Sequence, residues 1–107
     1  MAAIYSTRFV ICPAAATRTY VVPANHTAVV RFMSAVNSGA SVATWYANIL
    51  PSGIAFIGGS LAALNSPQTS PYYFGYDMRL VLNATETLSI TTTGGVIVTA
   101  SGYLFAA

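Results

Sequence analysis

The sequence predicts an all-β fold: an antiparallel β-sandwich of about eight strands, jelly-roll-like in its connections, with residues 1–107 as a single domain. Three observations carry that expectation. Apolar residues alternate with Thr, Ser and Arg at period two along much of the chain, the repeat of a half-buried strand. Pro, Gly and Asn interrupt these runs at short intervals, as turns between strands require. Residues 22–27 and 82–87 also share the pattern apolar, x, Ala, x, x, Thr at a spacing of sixty, which suggests two similar corners at one end of a sandwich.

Taken in order, residues 4–12 form a first strand with Tyr5, Phe9 and Ile11 on one side and Ser6, Arg8 and Val10 on the other. Pro13 stops it, residues 14–16 bridge, and 17–22 form a second β-rich run ending at Pro23. A turn over 23–26 leads into the longest strand candidate, 27–37. Its expected core face is Ala28, Val30, Phe32, Ser34 and Val36, and its other face is Thr27, Val29, Arg31, Met33 and Ala35. Arg31 reads either as a solvated strand residue or, beside Met33, as part of a subunit contact, because Arg and Met are enriched at interfaces. After a turn over 38–40, residues 41–50 alternate with Trp45 on the core side.

Residues 51–53 turn the chain into a short strand, 54–57, and Gly58-Gly59 loosens the backbone before 60–64, which reads as another short strand or one turn of helix. The longest loop signal, 65–71, delivers the aromatic cluster Tyr72, Tyr73, Phe74 and Tyr76. Consecutive strand residues point to opposite faces, so at least one of Tyr72, Tyr73 and Tyr76 is expected to leave the core. There it would serve protein contact or seal a sheet edge. Residues 79–105 read as three strands in a meander, with turns at 83–86 and at Gly94-Gly95, the latter a tight hairpin turn. Leu80, Leu82, Leu88 and Ile90 are expected inside, and Thr87, Ser89 and Thr91 outside.

The composition is 55% hydrophobic and only 6% charged, against roughly 25% charged in ordinary soluble domains. Two acids, four Arg and no Lys leave little charge to keep a monomer soluble, so neighbouring subunits are expected to cover much of the surface. Arg8, Arg18, Arg31 and Arg79 stand singly along the chain, and no specific nucleic-acid binding is expected from them. The longest apolar run, 53–64, is broken by Gly58-Gly59-Ser60 and falls short of a membrane span. The four apolar residues before Pro13 are too few for a signal-peptide core. The single Cys12 has no internal disulfide partner and reads as a buried small hydrophobe. His26, Cys12, Asp77 and Glu86 fall one to a neighbourhood, with no metal-ligand spacing, nucleophile elbow or phosphate-binding glycine pattern. No enzyme activity is expected, and no catalytic, cofactor or metal site.

Two C-terminal segments, residues 80–90 (LVLNATETLSI) and 96–104 (VIVTASGYL), resemble those of small β-sandwich virion proteins of tailed bacteriophages. In that family an Ala-Gly-Glu-Thr-Leu-like corner precedes a strand and the domain closes on a Ser-Gly-Tyr-like end; Val22-Pro23-Ala24 and the strand end at Asn37 fit the same pattern. This chain has Thr85 where such corners usually carry Gly. The resemblance implies a non-enzymatic structural protein of the virion, made in the host cytoplasm without a signal peptide. It would form homo-oligomers that decorate the capsid or build the neck, collar or tail. Its partners would be copies of itself and other virion proteins such as major capsid, portal or tail proteins. On that reading Arg31 and Met33 lie in one contact and Tyr72, Tyr73 and Tyr76 in another. The alternative is a carbohydrate- or receptor-binding module in which Trp45 or the 72–76 aromatics stack on sugar rings.

Overall fold

A computed structural model of the chain describes residues 4–50, 54–61 and 73–106. Eight strands follow one another: β1 (Ile4–Cys12), β2 (Thr17–Val21), β3 (His26–Asn37), β4 (Ala43–Leu50), β5 (Ile54–Leu61), β6 (Tyr73–Leu82), β7 (Thr87–Thr92) and β8 (Val96–Ala106). They pair antiparallel in two four-stranded sheets, a first of order β1-β8-β3-β6 and a second of order β2-β7-β4-β5. This is the strand order of an eight-stranded jelly roll. Residues 62–72, which include the expected loop and Tyr72, lie outside the described residues.

Successive strands change sheets at the corners, so the last three strands are not a meander. β6 and β8 belong to the first sheet and β7 to the second. The turn at Gly94-Gly95 forms, closed by the Val96 N–H on the Thr93 carbonyl at 3.2 Å with Gly94 at φ 54°, but it joins two sheets and is no hairpin. Burial decides this. Leu88 and Ile90 on β7, and Val96, Val98 and Ala100 on β8, are all fully buried, and the core lies between the sheets they belong to.

The two similar corners expected from the sequence are side by side. In each, the fourth residue's N–H bonds the first residue's carbonyl: His26 to Pro23 at 3.2 Å and Glu86 to Asn83 at 3.1 Å. The third residue of each takes a left-handed φ, 62° at Asn25 and 69° at Thr85, the arrangement of a type II turn. Val22 N–H donates to the Glu86 carbonyl and Thr85 N–H to the Val22 carbonyl, both at 2.9 Å, so each corner braces the other. Glu86 adds a side-chain bond, accepting from the Asn83 N–H at 2.6 Å.

Besides a register shift between β4 and β5, two bulges in the first sheet change which residues face inward. On β1 the pairing with β8 shifts between Arg8 and Val10, so Val10 and Cys12 enter the core and Ile11 points out. On β3 the register shifts between Val30 and Phe32. Ala28 and Val30 are inside as expected, but beyond the bulge the inward residues are Met33, Ala35 and Asn37, while Phe32 is exposed. An extra residue in one strand reverses every side chain after it. The bulges sit level with each other across β8, since Ser101 pairs with Arg8 on one flank and Phe32 on the other. Gly102 makes this possible, because a Cβ there would overlap the Val29 carbonyl oxygen.

β5 runs unbroken through Gly58-Gly59 to Leu61. The glycines do not loosen it; a Cβ at Gly58 would crowd the Trp45 carbonyl and Tyr46, and the lack of one at that position lets this edge strand approach β4 closely. β6 takes in Tyr73, Phe74 and Tyr76, and Asp77 lies in mid-strand. Leu82, Leu88 and Ile90 are fully buried and Leu80 packs against the core; Ser89 is also buried, although its side faces outward.

At the end opposite the corners, polar groups are bonded internally, as burial demands. Asn37 is fully buried: its Nδ2 donates to the carbonyls of Ser41 at 2.8 Å and Leu61 at 3.2 Å, and its Oδ1 accepts from Gly39 N–H at 2.9 Å. Thr92 fastens the β1–β2 turn, donating to the Pro13 carbonyl at 2.6 Å and accepting from Ala16 N–H at 3.1 Å. Cys12 is fully buried beside it, its Sγ 3.4 Å from the Ile90 and Ala16 carbonyls.

Candidate interaction surfaces

With the core between the sheets, each sheet turns one face outward, and the two faces differ in chemistry. On the second sheet the outward rows are set by register. Thr17, Thr91, Tyr46 and Gly58 lie in one row across the four strands, and Val21, Thr87 and Leu50 in another. Thr19, Ser89, Asn48, Thr44 and Ser60 complete the described face. None of these residues is charged at neutral pH. Val21, Tyr46 and Leu50 are exposed at 57%, 46% and 38%, and the hydroxyls partly satisfy one another, Thr17 with Thr91 at 3.1 Å and Thr44 with Thr93 at 3.2 Å. A face of that kind loses little by desolvation when covered.

The outward face of the first sheet is cationic. Arg8 on β1 is opposite Ser101 on β8, Arg31 lies in the β3 bulge beside Phe32, and Arg79 is on the neighbouring β6. All three arginines are exposed. Strands lie about 4.8 Å apart, so these three guanidinium stems cross the sheet within about 15 Å. Asp77, opposite Phe32, is the single acid on this face among the described residues. Phe32 and Tyr103 are exposed between the charges. Arg18 is elsewhere, on the edge strand β2, with its guanidinium donating to the Thr17 carbonyl at 3.0 Å.

The residues singled out from the sequence therefore separate. Arg31 is exposed, as a contact residue would be. Met33 is fully buried within the chain's own core and has no surface to offer a neighbour; the bulge put it there. Tyr73 is exposed at 49% on edge strand β6, whereas Tyr76 turns inward, its ring stacked on Phe74 at 5.5 Å and tilted against Trp45 at 6.5 Å. Trp45 is a core residue, 2% exposed, which removes it as a sugar-stacking platform. The clustering of Arg8, Arg31 and Arg79 was invisible in their linear spacing; only the strand order β1-β8-β3-β6 brings them together. Among the described residues no group of three or more His, Cys, Asp or Glu could hold a metal ion. No described helix is long and apolar enough to cross a membrane.

No family model matches the sequence, and no curated protein matches it either. Solved structures do. The core of the Drosophila protein NLP, described in terms of pentamer formation and histone binding, superposes with a TM-score of 0.56 at 13% identity, covering 94% of this chain and 96% of that one. A chain of the T13 particle of infectious bursal disease virus gives a TM-score of 0.43 at 16% identity, covering 97% of this chain but 30% of that one. The VP2 subviral particle of the same virus gives 0.38 at 14% identity over 97% of this chain and 32% of that one. At such identities the likeness to the Drosophila core is one of fold alone.

Proposed function

We propose that the protein is a non-enzymatic structural subunit of a tailed-bacteriophage virion, which joins copies of itself and decorates the capsid or builds the neck, collar or tail. The observation that carries the self-association is the outward face of the second sheet, which is uncharged and exposes Val21, Tyr46 and Leu50. Charge depletion and exposed aromatic and aliphatic side chains are the marks of surfaces meant to be covered. The fold supports the reading, since a sandwich of this kind forms pentamers in the Drosophila protein. The virion assignment rests on the corner and strand-end motifs of residues 80–90 and 96–104. Arg31 and Tyr73 supply contacts on the other side of the molecule.

Light scattering tests the self-association. The wild-type protein is expected to run as an oligomer, and Tyr46→Lys combined with Leu50→Lys to run as a monomer with an unchanged far-UV spectrum. A wild-type protein that stays monomeric at high concentration overturns the reading. Labelling the protein on virions then distinguishes capsid surface, neck and tail.

A further inference from the structure

We infer that the outward face of the first sheet is a docking surface for an acidic protein partner, distinct from the self-contact of the second sheet. Three of the chain's four cationic side chains, Arg8, Arg31 and Arg79, share this face, and Asp77 alone opposes them among the described residues. Both bulges aim side chains into it, because the register shifts at Arg8/Val10 and Val30/Phe32 present Arg8, Arg31 and Phe32 together on the outside. A face so one-sided in charge, in a chain with so few charges, calls for carboxylates opposite, which guanidinium groups bind bidentately.

The chemistry favours a protein over a nucleic acid. All the cations are Arg and none is Lys, matching protein interfaces, where Arg and aromatic residues are enriched and Lys depleted. Exposed Phe32 and Tyr103 sit among the arginines as anchors. Three neutralised phosphates give a salt slope of only about −2 on a single strand, weak for a nucleic-acid site.

Fluorescence anisotropy tests this with two labelled probes of similar length, poly-L-glutamate and oligo-dT, at low and moderate salt. Poly-L-glutamate is expected to bind the wild type more tightly than oligo-dT does. Arg31→Gln is expected to weaken it about threefold and the Arg8→Gln, Arg31→Gln, Arg79→Gln triple variant about thirtyfold. Arg18→Gln, which removes the same charge elsewhere, should leave binding within about twofold. If Arg31→Gln disturbs the bulge, seen as a lowered unfolding midpoint, the Arg8→Gln, Arg79→Gln double variant carries the test with an expected tenfold loss. Equal losses from Arg18→Gln and Arg31→Gln, or no binding of poly-L-glutamate, overturn the proposal. Tighter binding of oligo-dT, lost in Phe32→Ala, overturns it in favour of a nucleic acid.

Discussion

Thr85 shows how a single residue can run against its backbone. It holds φ 69°, a region where a β-branched side chain crowds its own carbonyl at a cost of about 1–2 kcal/mol. The bond from its N–H to the Val22 carbonyl at 2.9 Å fixes that conformation from outside. Thr85→Gly removes the crowding but adds freedom to the unfolded chain, about 0.4–1 kcal/mol. The net expectation is a gain of about 0.5 kcal/mol, read as a raised urea midpoint; Asn25→Gly, where Asn already tolerates the left-handed region, should change little. Tyr20 offers a second test. Burial against the Phe9 ring, 4.9 Å away, raises its phenol above the ordinary value. The stability it contributes is complete below about pH 10 and is lost as pH rises from there through the folded-state value, because the unfolded chain ionises first. Wild-type protein should therefore lose stability above about pH 10 more steeply than Tyr20→Phe in urea titrations at stepped pH.

At the scale of elements, the bulges mark the limit of what could be read from the chain. In β4 and the first half of β8 buried and outward residues alternate, and the inward residues there followed from the pattern; Trp45, Leu88 and Ile90 are where alternation puts them. β3 is apolar on both faces, so a swap between them at Arg31 leaves no trace in hydropathy. Phe32 and Met33 exchanged places for that reason. The corners were legible because turn chemistry is local, while their direct bonding across sixty residues needed the fold. Gly102 is the element that permits the bulges. Gly102→Ala places a methyl against the Val29 carbonyl oxygen and the Arg31 nitrogen and is expected to destabilise by about 3 kcal/mol in chemical denaturation. Gly59, on edge strand β5 with nothing within 4 Å of an added Cβ, should accept the same change at little cost.

At the scale of the molecule, the last strand in sequence is an inner strand of its sheet, flanked by β1 and β3. Ile4 pairs with Phe105, so nearly the full length of chain must be present before the first sheet closes. A fragment ending at Thr92 is expected to show no cooperative unfolding by circular dichroism, and the intact chain to refold in milliseconds to seconds, as non-local β topologies do. The same topology gathers Arg8, Arg31 and Arg79, a property of strand order that no linear reading of scattered arginines contains.

The fully buried thiol of Cys12, the chain's single cysteine, gives the molecule a built-in clock. A thiol reagent reaches that sulfur only when β1 lifts from the sandwich, so its labelling rate times the opening of the fold without any engineered probe. Slow labelling that accelerates in Gly102→Ala and slows in Thr85→Gly would connect the corner, the bulge and the core through one reactive atom.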